Sequence, residues 1–205
     1  MRSVAEALQE AQRRGFLGPA PVDDQLVHAS AFAALIPDEA GALLDLGAGG
    51  GLPGLALAAE YAPDRRYLFV EASQKRSAFL KEAVEALGLS ARVQVLASRA
   101  EILGRAANFR ATVDVVVARG FGPPAVTAEC AAPFLKVGGV LICSEPPSEA
   151  VGERRWKGDV SLVGLGPPRG AQSGGFNFEL LEQVALCSDR FPRRDGIPRK
   201  RPLFT

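Results

Sequence analysis

A single histidine and three cysteines are all that this 205-residue chain offers a soft metal. Cys130, Cys143 and Cys187 lie far apart with no C-x-x-C pair, so neither a structural zinc site nor a disulfide framework is expected. No apolar run approaches the roughly 18–20 residues that cross a bilayer. The opening MRSVAEALQEAQRRG is charged and amphipathic, with no signal-peptide core. These absences predict a soluble, cytoplasmic protein with no membrane partner and no metal. Charge of one sign is also in short supply: 24 basic against 23 acidic residues leave a net +1, which alone predicts no polyanion partner. There is no internal repeat, and the length suits one domain. Its expected parts are a short helical segment over 1–40, a core over 41–189 and a basic tail over 190–205.

What is present is more telling. From about residue 40 strand and helix patterns alternate, the signature of an α/β fold with a mostly parallel sheet covered by helices on both faces. Strands are predicted near Leu43–Leu46, Tyr67–Val70, Val93–Leu96, Val113–Val117 and Val140–Cys143. Helices are predicted near Pro53–Glu60, Lys75–Leu87, Ala100–Leu103 and Pro124–Leu135, with Gly88 stopping the second. Residues 145–175 are rich in proline, glycine and charge, which predicts irregular chain with one strand near Val160–Val163, and a last strand near Phe176–Ala185 closes a seven-stranded sheet.

The first strand runs into LLDLGAGGGLPGLALA, where glycine permits both positive φ and close approach of backbone to a ligand. Two registers fit: Gly47, Gly49 and Gly51 as G-x-G-x-G, and Gly49, Gly51 and Gly54 as G-x-G-x-x-G. The loop by itself leaves S-adenosylmethionine and a nicotinamide or flavin nucleotide both open. Glu71 ends the second strand 20 positions after Gly51, where a carboxylate can accept both ribose hydroxyls of either ligand. Two stretches favour adenosylmethionine. FLKVGGVLI places a glycine pair immediately before the fifth strand, and ASRAEI follows the third, where methyltransferases bracket adenine. A dehydrogenase would also need a substrate region for which too little chain remains.

The segments DLGAGGGLPGLALA, FVEASQKRSAFLKEAVEALGL, SRAEI, VDVVVARGF, PFLKVGGVLI and FPRRDGIPRKRPL occur in that order. In them the sequence resembles the glucose-inhibited division protein B family, adenosylmethionine-dependent methyltransferases of Rossmann-like fold that modify a guanine N7 of small-subunit ribosomal RNA. The resemblance implies cofactor contacts at Gly47, Leu52, Glu71, the backbone of Ala100 and Glu101, and Arg119, with Arg119 also in the catalytic role; Asp45, Gly49, Gly51 and Arg99 are expected beside them at the cofactor, Arg99 with RNA or plain surface as its alternatives. It implies a ribosomal RNA or small-subunit partner; a monomer is expected. The tail from Arg190 to Arg201 holds six cations and one acid, so Arg193, Arg194, Arg199, Lys200 and Arg201 are expected to meet RNA phosphates. Guanine N7 already carries an in-plane lone pair, so no general base is required. The chain accordingly lacks an Asn-Pro-Pro-Tyr set for an exocyclic amine and a well-placed Pro-Cys for attack on a pyrimidine. Cys143 and His28 are expected to be structural. The alternatives are an inactive adenosylmethionine- and RNA-binding homologue, or a small-molecule methyltransferase.

Overall fold

The computed structural model describes residues 3–146, 156 and 158–204. Helices α1 (Val4–Arg13) and α2 (Val22–Ala33) precede the alternating part, and Ser3 caps α1 by accepting from Glu6 N at 3.2 Å. Then follow β1 (Ala42–Leu46), α3 (Gly54–Ala56), β2 (Arg66–Glu71), α4 (Gln74–Ala86), β3 (Val93–Ala97), α5 (Ala100–Leu103) and β4 (Val113–Ala118). The chain finishes with α6 (Pro124–Ala131), β5 (Leu135–Glu145), β6 (Arg169–Ser173), β7 (Phe176–Glu182) and α7 (Ile197–Lys200).

All seven strands form one sheet in the order β3-β2-β1-β4-β5-β7-β6. The first five run parallel, and β7 pairs antiparallel with both β5 and β6. Central strands buried on both faces read as nearly continuous apolar runs, each here broken by one aspartate, which is why LLDL and VDVVVA are legible. Alternation along β4 sends Val115 and Val117 toward α1–α4, and Val116 and Ala118 toward α5 and α6. Helix α4 ends as expected: Gly88 takes φ +68°, and Leu89 N closes back on Val84 O at 2.9 Å.

Three expectations need correction. Val160–Val163 is a 3-10 turn, not a strand: Asp159 Oδ1 accepts from Ser161 N at 3.0 Å, and Gly164 at φ +83° ends it. The outer strand is instead β6, joined to β7 by Gly174 and Gly175, whose φ values of +53° and +82° make the primed two-residue turn that hairpins favour. Lastly, the Gly138–Gly139 pair does not precede the fifth strand but lies within it. There the register jumps from Val113↔Leu135 to Val115↔Val140, a bulge, and a Cβ on Gly139 would meet Asp114 O at 2.8 Å. The helix expected over Pro53–Glu60 is shorter than read, with α3 passing into a π turn at Leu57–Tyr61. Of the irregular stretch read over 145–175, residues 147–155 and 157 lie outside the described residues.

Candidate active site

Strand order reverses between β1 and β4, and open α/β sheets bind ligands outside the carboxyl ends of strands at such a switch point. The glycine loop after β1 stands there. Gly47, Gly49 and Gly51 take φ of +74°, +55° and +99°, so the first register meets a backbone demand. Gly47 also lies under Phe121, whose Cδ2 would be 2.7 Å from an added Cβ. Gly54 serves the second register for a different reason, space: a Cβ there would meet Asp45 Oδ2 at 2.5 Å and Phe69 Cε1 at 2.7 Å. Both registers left open by the sequence are therefore used, one for conformation and one for packing.

Beside the loop is a cleft of about 250 Å3 lined by Gly47, Glu71, Arg99, Ala100, Glu101 and Phe121, among others. Glu71 is 5% exposed and already fixed: Oε2 accepts from Gly49 N at 2.9 Å and Oε1 from Ser73 N at 2.7 Å. A carboxylate oxygen has capacity for more than one donor, so both can still receive a ribose hydroxyl. Gly120 borders the same cleft at φ +65° with nothing within 4 Å of an added Cβ, leaving room no side chain claims. A fixed acid, bare backbone and the α5 residues along one wall have the shape and polarity to fit the adenosine part of S-adenosylmethionine.

Asp45, Gly51 and Leu52 shape the loop and do not line this cleft. Asp45 is buried and accepts from Gly54 N at 2.8 Å, tying β1 to α3. Burial pushes its carboxyl up to about 7, against the opposing pull of the Gly54 N–H and the Arg119 charge. Leu52 packs with Val4 and Leu8 of α1. Arg119 is half-buried, and its Nη1 approaches Gln25 Oε1 at 3.4 Å. Gln25, which the sequence reading did not single out, is 3% exposed and gives its Nε2 hydrogens to Gly18 O and Ala20 O. A buried glutamine on an apolar helix face was the available signal.

His28 stacks on Phe176 at 4.3 Å between ring centroids, its Nε2 buried without a partner. Burial first, and the Arg119 charge second, lower its pKa to about 4. The folded protein thus binds fewer protons than the unfolded chain between pH 4 and the ordinary histidine value near 6.5. Stability from this group is present above that window and lost as pH falls through it, a loss of about 1–2 kcal/mol at pH 5. His28→Phe keeps the stacked ring and removes the titration. Melting curves at pH 7 and pH 5 should show a smaller drop for the variant than for the native chain.

The tail is not a loose solvated strand. Cys187, Phe191 and Pro192 offer backbone carbonyls to Arg110 and Arg105 at 2.6–2.8 Å, and Gly196 N donates to Glu101 at 3.2 Å. Arg99 also bonds Glu101, at 3.0 Å, and pairs with Asp195, so it clamps the tail to the cleft wall. Arg193, expected at RNA, is committed elsewhere. Its Nε and Nη2 meet the fully buried Glu129 at 2.9 and 2.6 Å, and its backbone N–H joins them. Arg194, Arg199, Lys200 and Arg201 have no ion pair among the described residues, and Arg199 reaches the cleft lining. No three His, Cys, Asp or Glu side chains converge as a metal site among the described residues, and no helix there is long and apolar enough to cross a membrane.

Sheet order, glycine loop and a buried acid at the end of β2 are together those of an adenosylmethionine-dependent methyltransferase. A SAM-dependent O-methyltransferase from Thermotoga maritima shares this fold at TM-score 0.60 and 14% identity, over 87% of this chain and 71% of that one. A T. thermophilus 16S rRNA methyltransferase solved with AdoMet and guanosine superposes at TM-score 0.53 and 21% identity, over 83% of this chain and 40% of the other. At the sequence level the likeness is closer. The model of the family described as rRNA small subunit methyltransferase G matches residues 22–146. Proteins of that name from Moorella thermoacetica and Dictyoglomus thermophilum are 35% and 30% identical, over 84% and 79% of this chain and 73% and 68% of theirs. The chain belongs to the rRNA small subunit methyltransferase G family.

Proposed function

We propose that this protein transfers the methyl group of S-adenosylmethionine to N7 of a guanine in small-subunit ribosomal RNA, acting in the cytoplasm as a monomer. The observation that supports this most directly is Glu71, fixed by two backbone N–H groups in a cleft that also takes in the loop after β4. When bound, the cofactor supplies an electrophilic methyl group on a sulfonium. Glu71 would accept from the ribose hydroxyls, the backbone of Ala100 and Glu101 would border the adenine, and Gly47 would leave room for the amino-acid end. Arg119 offers a half-buried cation to a carboxylate or to an acceptor atom of the base. N7 loses no proton when it attacks, so the side chains have alignment as their task, not proton removal. Arg194, Arg199, Lys200 and Arg201 would hold RNA phosphates near the cleft rim.

Calorimetric titration with S-adenosylmethionine tests the cofactor half. Each charge-assisted bond to Glu71 contributes about 1.5–3 kcal/mol, so Glu71→Ala should weaken binding by roughly two orders of magnitude. Glu71→Gln, which keeps an acceptor for Gly49 or Ser73, reports on loop collapse. Unchanged affinity in both variants would refute the assignment. Transfer of labelled methyl to small subunits lacking the modification tests the other half.

A further inference from the structure

The carboxyl end of β5 carries a polar feature that the cofactor wall does not use. Next to the segment after β4 is a cleft of about 20 Å3, bounded by Phe121, Thr127, Cys143, Glu145 and Trp156 among others. Gly120, Phe121 and Gly122 line this cleft and the cofactor cleft alike, so a ligand edge entering here lies beside the methyl donor's site. Trp156 is 7% exposed and donates Nε1–H to Glu145 Oε1 at 3.0 Å, which fixes the carboxylate. Oε1 keeps capacity for another donor, and Oε2 accepts nothing among the described residues. No cation lines this cleft among the described residues. One strand over, burial and then the Glu145 charge push the Glu179 carboxyl up.

A fixed carboxylate repels phosphate, so a nucleic acid reaching this point must present hydrogen-bond donors. A volume of that size holds little more than one water-sized group, so a base can bring only its polar edge to the mouth. Among the four RNA bases only guanine sets two donors side by side, N1–H and the exocyclic N2–H2, on its Watson–Crick edge; no other base has adjacent donors there. Unstacked bases in RNA are commonly read on that edge while an aromatic ring supports the face, a role open to Phe121. The same edge lies across the ring system from N7. A carboxylate that accepts both donors therefore turns N7 away from itself and back toward the cofactor cleft.

We infer that Glu145, braced by Trp156, determines base specificity by accepting N1–H and N2–H2 of the acceptor guanine. The inference rests on the guanine-methylating reading above. Trp156 is the chain's one tryptophan, so its fluorescence reports on the carboxylate directly. With S-adenosylmethionine present, guanosine monophosphate should bind at least about tenfold more tightly than inosine monophosphate, which lacks the exocyclic amine. Glu145→Gln retains an acceptor for Trp156 but sets an amide where the second donor would arrive, and should bring the two nucleotides within about twofold. A merely structural role predicts no change in that variant. Equal affinities in the native protein, discrimination unaltered in Glu145→Gln, or no saturable response to guanosine monophosphate would each overturn the assignment. Methyl transfer to unmodified small subunits is measured in parallel. Its absence overturns the guanine-methylating reading and this assignment with it, whereas transfer without nucleotide discrimination overturns this assignment alone.

Discussion

Arg193→Met is expected to destabilise the fold by about 3–5 kcal/mol, the usual consequence of leaving one buried partner of an ion pair uncompensated. Glu129 is 0% exposed in the middle of α6, and the Arg193 guanidinium together with its backbone N–H supplies its hydrogen bonds. Removing the cation leaves a carboxylate with one backbone donor and no access to water. Urea denaturation measures the loss directly. The double variant Glu129→Leu with Arg193→Met should recover much of it, because an apolar pair of similar volume needs no desolvated charge. Arg199→Ala should behave in the opposite way. It should leave stability within about 0.5 kcal/mol, as exposed substitutions commonly do. If Arg199 meets a phosphate, the salt dependence of RNA binding should fall by about 0.7 in logarithmic slope. A stable Arg193→Met protein with weakened RNA binding would return Arg193 to the RNA surface.

Gly54→Ala should be strongly damaging although its backbone carries no positive φ. Its Cβ would enter a space held by Asp45 Oδ2 and by Phe69, whose ring is buried in the core, and neither can withdraw without disturbing β1 or β2. Overpacking of this kind costs about 1–3 kcal/mol. Displacing Asp45 also breaks its bond to Gly54 N and leaves a buried acceptor unmade, about 1–3 kcal/mol more. Gly120→Ala is the informative contrast, since nothing lies within 4 Å and only its positive φ resists. That strain is about 1–2 kcal/mol. Thermal melts should therefore rank Gly54→Ala well below Gly120→Ala. The opposite ranking would mean that α3 shifts freely against the sheet.

These two cases show where the sequence was readable. Parallel strands appear as apolar runs where both of their faces are covered, as in β1 and β4, and Glu71 is found by its place at a strand end after a glycine loop. The strand β6, Arg-Gly-Ala-Gln-Ser, lies at the sheet edge and is largely exposed, so it carries no apolar alternation. Only the Gly174–Gly175 pair after it announced a hairpin. Val160–Val163 misleads for the converse reason: a short apolar run fits a strand or one helical turn, and the Asp159 cap decides between them. The fate of Arg193 was hidden because Glu129 is 64 positions away. Within the tail, Arg193 and Arg194 look equivalent, and only tertiary packing separates a structural cation from a free one.

The double backbone grip on Glu71 has a consequence for selectivity. A mobile glutamate would surrender about 0.5–1.5 kcal/mol of rotamer entropy on meeting its ligand; here that ordering precedes binding. The same rigidity removes any means of swinging aside. On the proposed reading, a nucleotide phosphorylated on its ribose would meet a carboxylate that cannot move, with the Arg76 guanidinium, 3.9 Å from Glu71 Oε2, offsetting only part of the repulsion.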